Sequence, residues 1–145
     1  VNTSGPVRSI GVALKAMKSN GNNADDSFDF AIGTRSNGGS VSERVRVGRT
    51  GHIAFVGTAP TVSSCGTGPT QPTGTDNAGY YTTGSAATTC TLTFATPWTI
   101  APSCLVETSG SATEPTFTVS TTAITVTVDI ANTKYFYQCF GAGGL

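Results

Sequence analysis

Apolar and polar side chains alternate with a period of two along much of this chain. In KYFYQCF (134–140), Tyr135, Tyr137 and Cys139 fall on one side. In AITVTVDI (123–130), Ile124, Val126, Val128 and Ile130 face one way, and Thr125, Thr127 and Asp129 face the other. FTV (117–119) lies just upstream, and Ser120-Thr121-Thr122 between the two runs reads as a hairpin turn. In CTLTF (90–94), Cys90, Leu92 and Phe94 stand opposite Thr91 and Thr93. Successive strand side chains point to opposite faces of a sheet, so each run predicts a half-buried strand.

The N-terminal part carries the same signal in shorter pieces. IGVALKAM (10–17) is a short apolar stretch, followed by the polar loop SNGNNADD. FDFAIGTRS (28–36) alternates, with Phe28, Phe30 and Ile32 on one face. SNGGS is a turn of residues that tolerate positive φ. VSERVRVG then sets Val41, Val45 and Val47 on one side and Ser42, Arg44 and Arg46 on the other. After the turn at Arg49-Thr50-Gly51, HIAFVG returns as a partner strand. The cluster Arg44, Arg46, Arg49 thus reads as the polar face of a strand rather than as a basic binding patch.

Composition agrees with an all-β chain. Charged residues are 11% of 145, against roughly 25% in an ordinary globular protein. Thr and Val favour strands, and the many Gly, Asn, Ser and Pro mark turns. Formal net charge is zero, which gives no global electrostatic case for nucleic acid. No apolar run approaches the ~20 residues of a membrane-spanning helix. The opening VNTSGPVRS has no charged-then-apolar leader and reads as a cut within a longer polypeptide.

Composition also shifts near Pro60. Residues 1–60 hold seven of the eight basic residues and no cysteine, whereas residues 61–145 hold all four cysteines, the one Trp, and only Lys134 as a base. Two modules are expected: a short β module over 1–60 and an antiparallel β-sandwich over 61–145.

Both modules resemble parts of bacteriophage tail fibres and tailspikes. Glu43-Arg44-Val45-Arg46-Val47, the Arg49-Thr50-Gly51 turn, and Ile53-Ala54-Phe55-Val56-Gly57-Thr58-Ala59-Pro60 are similar to a recurrent fibre segment. His52 stands where that segment commonly has Asn. Cys65-Gly66-Thr67-Gly68-Pro69, Gly74-Thr75-Asp76-Asn77-Ala78-Gly79, Cys90-Thr91-Leu92-Thr93-Phe94 and Ala101-Pro102-Ser103-Cys104 resemble C-terminal tip domains of such fibres. The resemblance implies a shaft-like module followed by a tip, a homotrimer, a place on the virion with extracellular action, and no catalysis. It also implies a host-cell surface receptor as partner, a polysaccharide or an outer-membrane protein; the charge balance and the short apolar runs lead us to expect no nucleic acid and no membrane insertion.

A sandwich of about 85 residues buries a small core and is marginal alone. Four cysteines allow three pairings; if oxidised, Cys65–Cys90 and Cys104–Cys139 are preferred. The alternative is four buried thiols, as in a protein that folds in a reducing cytoplasm. No C-x-x-C pair supports zinc, and no metal or other cofactor is expected. A trimer is the other remedy. The first module has too few large apolar residues for its own core, yet its strands have clear apolar faces, which copies around an axis would bury.

Catalytic constellations are absent from the pattern. His52 is the one histidine, and no Gly-x-Ser-x-Gly elbow accompanies it. Asp76, Glu107, Glu114 and Asp129 are too scattered to suggest a glycosidase pair from spacing. Asp25, Asp26 and Asp29 lack the order of a calcium loop. Candidate receptor contacts are the aromatics expected in loops or on outward faces: Tyr80, Tyr81, Trp98 and Phe136. Core packing is the competing reading, above all for Trp98. Two other functions fit the same pattern: a purely structural trimerisation or capping module of a fibre, and a bacterial adhesin domain.

Overall fold

The computed structural model describes residues 12–18, 28–35, 37–109, 114–128 and 130–141. Among them there is no helix, and twelve strands form three antiparallel sheets. The chain divides into two compact units, Val1–Val56 and Gly57–Leu145, a boundary slightly upstream of the Pro60 composition shift. The Ile10-Gly11 start of the first apolar stretch, the loop bearing Asp25 and Asp26, and the terminal residues 142–145 lie outside the described residues. So does Asp129.

The first unit is a meander in the order β1-β2-β3-β4. Its strands are β1 (Val12–Lys18), β2 (Phe28–Thr34), β3 (Ser42–Val47) and β4 (Ile53–Phe55). Register sets Phe30 opposite Val47, Ile32 opposite Val45, and Val47 opposite Ile53. These positions form one apolar face; the backbone of β1 pairs alongside, with Leu14 the register partner of Ile32. Phe30 is 44% exposed and Ile53 68%. The sheet is a single layer, and among the described residues of this unit no second layer covers that face.

A bulge reshapes its polar face. Residues three apart on a regular strand point to opposite faces, so Glu43 and Arg46 should not meet. The ladder passes from Ile32↔Val45 to Gly33↔Glu43 and skips Arg44; the extra residue turns Glu43 onto the Arg46 side. Arg46 donates from Nε to Glu43 Oε1 and from Nη2 to Oε2, each at 2.7 Å, and from Nη1 to Asp29 Oδ2 at 2.9 Å. The expected grouping of Val41 with Val45 and Val47, and of Ser42 with Arg46, therefore fails at the bulge. Val41 lies outside the strand and is 44% exposed. Arg44 instead donates from Nε to Thr34 Oγ1 at 3.0 Å.

The second unit holds two four-stranded sheets. One runs β10-β11-β8-β5, from β5 (Thr61–Ser63), β8 (Thr89–Thr93), β10 (Phe117–Val119) and β11 (Ala123–Thr127). The other runs β6-β7-β12-β9, from β6 (Thr70–Gly74), β7 (Ala78–Thr82), β9 (Ser103–Thr108) and β12 (Lys134–Phe140). Both sheets feed one buried cluster. Cys90, Leu92, Ile124 and Val126 come from the first, and Tyr81, Val106, Tyr135, Tyr137 and Cys139 from the second. A shared core between two antiparallel sheets is the packing of a β-sandwich.

Alternation places most of these residues as the sequence leads one to expect. Ile130 is the exception: β11 ends at Thr127, and Ile130 is 43% exposed in the following turn. Pro72 sits inside β6, which tolerates it because β6 is an edge strand and the missing N–H costs no ladder bond on the free side. The hairpin at Ser120-Thr121-Thr122 closes through Ser120 N donating to the Ala123 carbonyl at 2.9 Å.

Two disulfides cross-link this unit, Cys65 to Cys90 and Cys104 to Cys139. Cys104 and Cys139 are register partners on the adjacent strands β9 and β12, with Cα atoms 4.1 Å apart. The Cys65–Cys90 pair ties the loop after β5 to β8, with Cα atoms 4.2 Å apart. Both distances are short for a disulfide but far inside the ~7 Å beyond which bridging fails. Because alternation points Cys90 and Cys139 inward, both sulfurs are buried in the core.

Candidate functional site

Strand β12 is central in its sheet, and its two faces have opposite characters. Tyr135, Tyr137 and Cys139 are buried, while Lys134, Phe136, Gln138 and Phe140 are exposed. Beside it, β7 presents Tyr80 outward and Tyr81 inward, and β9 presents Leu105 and Glu107 outward. Register assembles these into rows across the outer face. Tyr80, Phe136 and Glu107 form one row; Ala78, Gln138 and Leu105 form the next.

The centre of this face is aromatic. Tyr80 and Phe136 are directly opposed across paired strands, with ring centroids 6.1 Å apart and planes tilted by 56°. Tyr80 is 38% exposed, Phe136 43% and Leu105 56%. The Lys134 ammonium lies 4.6 Å from the Tyr80 ring centroid and 6.0 Å from that of Phe136. That places it within reach of the negative faces of both rings. The side chains enclose an open depression of about 400 Å³ bounded by Tyr80, Phe136, Leu105, Glu107 and Gln138.

Beneath the face the strands are held rigidly. Tyr81 and Tyr135 are register partners and stack with centroids 5.6 Å apart and planes within 11°. The Tyr137 hydroxyl donates to the Thr75 carbonyl at 2.8 Å. Its ring passes over Gly79, its register partner; a Cβ at residue 79 would collide with the Tyr137 ring and with the Thr73 carbonyl. Burial pushes the phenol of Tyr81 well above its ordinary value, and that of Tyr137 likewise. The loop preceding β7 is fixed by Asp76, whose carboxylate accepts from Ala95 N at 2.7 Å and Thr96 N at 2.9 Å.

Of the four aromatic residues picked from the sequence, the structure brings two together on the surface. Tyr80 and Phe136 share the outer face. Tyr81 is a correction: it is 1% exposed and belongs to the core, because it follows Tyr80 on a strand and must point the other way. For Trp98 the competing reading, core packing, is the one the structure supports. It packs on the core edge-on to Phe94, centroids 6.1 Å apart at 77°, and its indole N–H is buried without a hydrogen-bond acceptor.

Leu105, Glu107, Lys134 and Gln138 complete the face without standing out among the aromatic candidates of the sequence. The signal for Lys134 and Gln138 was present, since the alternation that buries Tyr135 and Tyr137 turns them out beside Phe136. Leu105 and Glu107 needed β9 to be recognised as a strand.

The other chemistry-bearing residues stand apart. His52 is exposed, with Nδ1 3.4 Å from Thr50 Oγ1. Asp29 is committed to Arg46 and to the Arg49 amide. Among the described residues no three of His, Cys, Asp and Glu gather where they could hold a metal ion. No protein-family model, curated protein or solved structure matches this chain.

Proposed function

We propose that this chain is the distal part of a phage tail fibre, a homotrimer whose second unit binds a host-cell surface receptor during adsorption. The observation that carries the reading is the outer face of the β6-β7-β12-β9 sheet. An isolated soluble surface keeps large aromatics scattered, whereas here Tyr80 and Phe136 adjoin Leu105 around a depression. Exposed apolar clusters rimmed by polar groups mark interaction sites. The disulfides support the same reading, since cross-links suit a small domain that acts outside the cell.

The test is competition for adsorption. Purified chain, incubated with host bacteria before the phage is added, is expected to coat the cells and reduce adsorption in proportion to its occupancy. Chain that folds but neither coats cells nor competes overturns the reading.

A second reading, a structural trimerisation module with no receptor contact of its own, is favoured by one observation. The apolar face of the first unit, with Phe30 and Ile53 exposed, calls for a covering partner whether or not the second unit binds anything. A stable trimer inert in the adsorption assay is its expected signature.

A further inference from the structure

Resting on the receptor-binding reading of the second unit, we propose that the Tyr80–Phe136 face is a saccharide site. Its ligand is a neutral oligosaccharide whose pyranose C–H faces pack against the two tilted aromatic rings.

A pyranose ring needs two kinds of surface at once. Its axial C–H groups form an apolar patch that packs on the electron-rich face of an aromatic ring, and its equatorial hydroxyls need hydrogen-bond partners around the edge. Both are present in adjoining rows of one sheet. The aromatic pair supplies the platform. In the same row Glu107 is the register partner of Phe136, and its carboxylate can accept from two neighbouring hydroxyls. In the next row Gln138 offers an amide that both donates and accepts. Lys134, in the row on the other side of the rings from Gln138, adds donors with its ammonium 4.6 Å from the Tyr80 ring centroid.

The dimensions and charge narrow the ligand. A depression of about 400 Å³ falls within the roughly 300–1,000 Å³ typical of small-molecule sites, enough for a short stretch of glycan. One ammonium and one carboxylate flank the rings, so their charges cancel. A polyanionic glycan would bring its carboxylates toward Glu107, and a cationic ligand would meet Lys134. A protein partner fits less well. The hot spot of a protein interface is a dry apolar centre, whereas here the row beside the rings carries Gln138 between Ala78 and Leu105.

The platform is also preorganised. Tyr80 and Phe136 stand on paired strands, over the Tyr81–Tyr135 stack and the Tyr137–Thr75 hydrogen bond. Little side-chain or loop entropy remains to be lost on binding.

The experiment uses the full chain and an array of glucose-, galactose- and mannose-configured neutral trisaccharides, with uronic-acid-containing and sialylated oligosaccharides beside them. At least one neutral trisaccharide is expected to bind, with saturation transfer to its axial protons. Tyr80→Ala and Phe136→Ala should each weaken binding by about tenfold, the order expected for losing one stacking ring. Tyr80→Phe should retain it. Near-UV circular dichroism and the Tm establish that the variants are folded.

Absence of binding to every neutral sugar, binding confined to the acidic oligosaccharides, or binding indifferent to both alanine variants overturns the site. Parallel adhesion to host cells separates this inference from the reading it rests on. Adhesion that survives both substitutions and periodate oxidation of the cells, yet is lost on protease treatment, overturns the saccharide site and leaves receptor binding in place. Sugar binding that depends on Tyr80 and Phe136, without adhesion to any host cell, upholds the site and overturns the adsorption role.

Discussion

The Tyr137 hydroxyl reaches over Gly79 to donate to the Thr75 carbonyl at 2.8 Å. The bond joins the inner strand β12 of the aromatic-faced sheet to the turn between β6 and β7. It exists because residue 79 has no side chain. Tyr137→Phe removes the donor and leaves a carbonyl without its partner, a cost of about 1 kcal/mol. Gly79→Ala should cost more, since the added methyl meets both the Tyr137 ring and the Thr73 carbonyl and backbone cannot step aside cheaply. Urea denaturation of the two oxidised variants gives this ordering directly.

Alkaline pH should loosen the second unit. Tyr81 and Tyr137 have folded-state values raised above an ordinary value of 10.0, chiefly by burial. A raised folded value means that the folded state holds its proton longer than the unfolded state. The associated stability is complete below about pH 10 and is lost progressively above it. Phenolate absorbance followed against pH should show these two tyrosines ionising late, together with loss of near-UV circular dichroism.

Both disulfides should contribute strongly to stability. They close loops with sequence separations of 25 and 35 residues, for which chain entropy gives roughly 3–4 kcal/mol each. Reduction should lower the Tm of the second unit by many degrees. Peptide mapping without reduction should recover only the Cys65–Cys90 and Cys104–Cys139 pairs.

The Arg46 cluster makes an acid prediction for the first unit. Hydrogen bonds from the Arg46 guanidinium hold the carboxyls of Asp29 and Glu43 below their ordinary values. A lowered folded value means that the stability is present at neutral pH and is lost as pH falls through the carboxylate range. Carboxyl NMR titration should find both groups ionising at unusually low pH. Arg46→Gln should return them toward ordinary values.

Assembly should depend on the open apolar face. Replacing Ile53, 68% exposed, with Glu places charge where a homotrimer would bury the sheet. Sedimentation of the unsubstituted chain should give a trimer at micromolar concentration, and Ile53→Glu a smaller species whose second unit keeps its Tm. A folded monomer for the unsubstituted chain would sink the trimeric reading.

By itself the sequence determined the β character of this protein and the inward faces of its most regular strands. Alternation in 90–94, 123–128 and 134–140 settles which side chains are buried, because a strand presents successive residues to opposite faces. It reads poorly where the pattern is interrupted. TQPTG of β6 contains a proline that only an edge position permits, and AGYYT of β7 puts two tyrosines side by side. Without a register, nothing in that pair says that Tyr81 lies in the core and Tyr80 on the surface. Tertiary structure alone decided the rest. It set Cys104 opposite Cys139, brought Glu43 to the face of Arg46 through a bulge no local pattern announces, and placed Tyr80 beside Phe136 from a strand 56 residues away. Partners distant in sequence are chosen by strand order and register, which depend on the packing of the whole sheet rather than on the residues that meet.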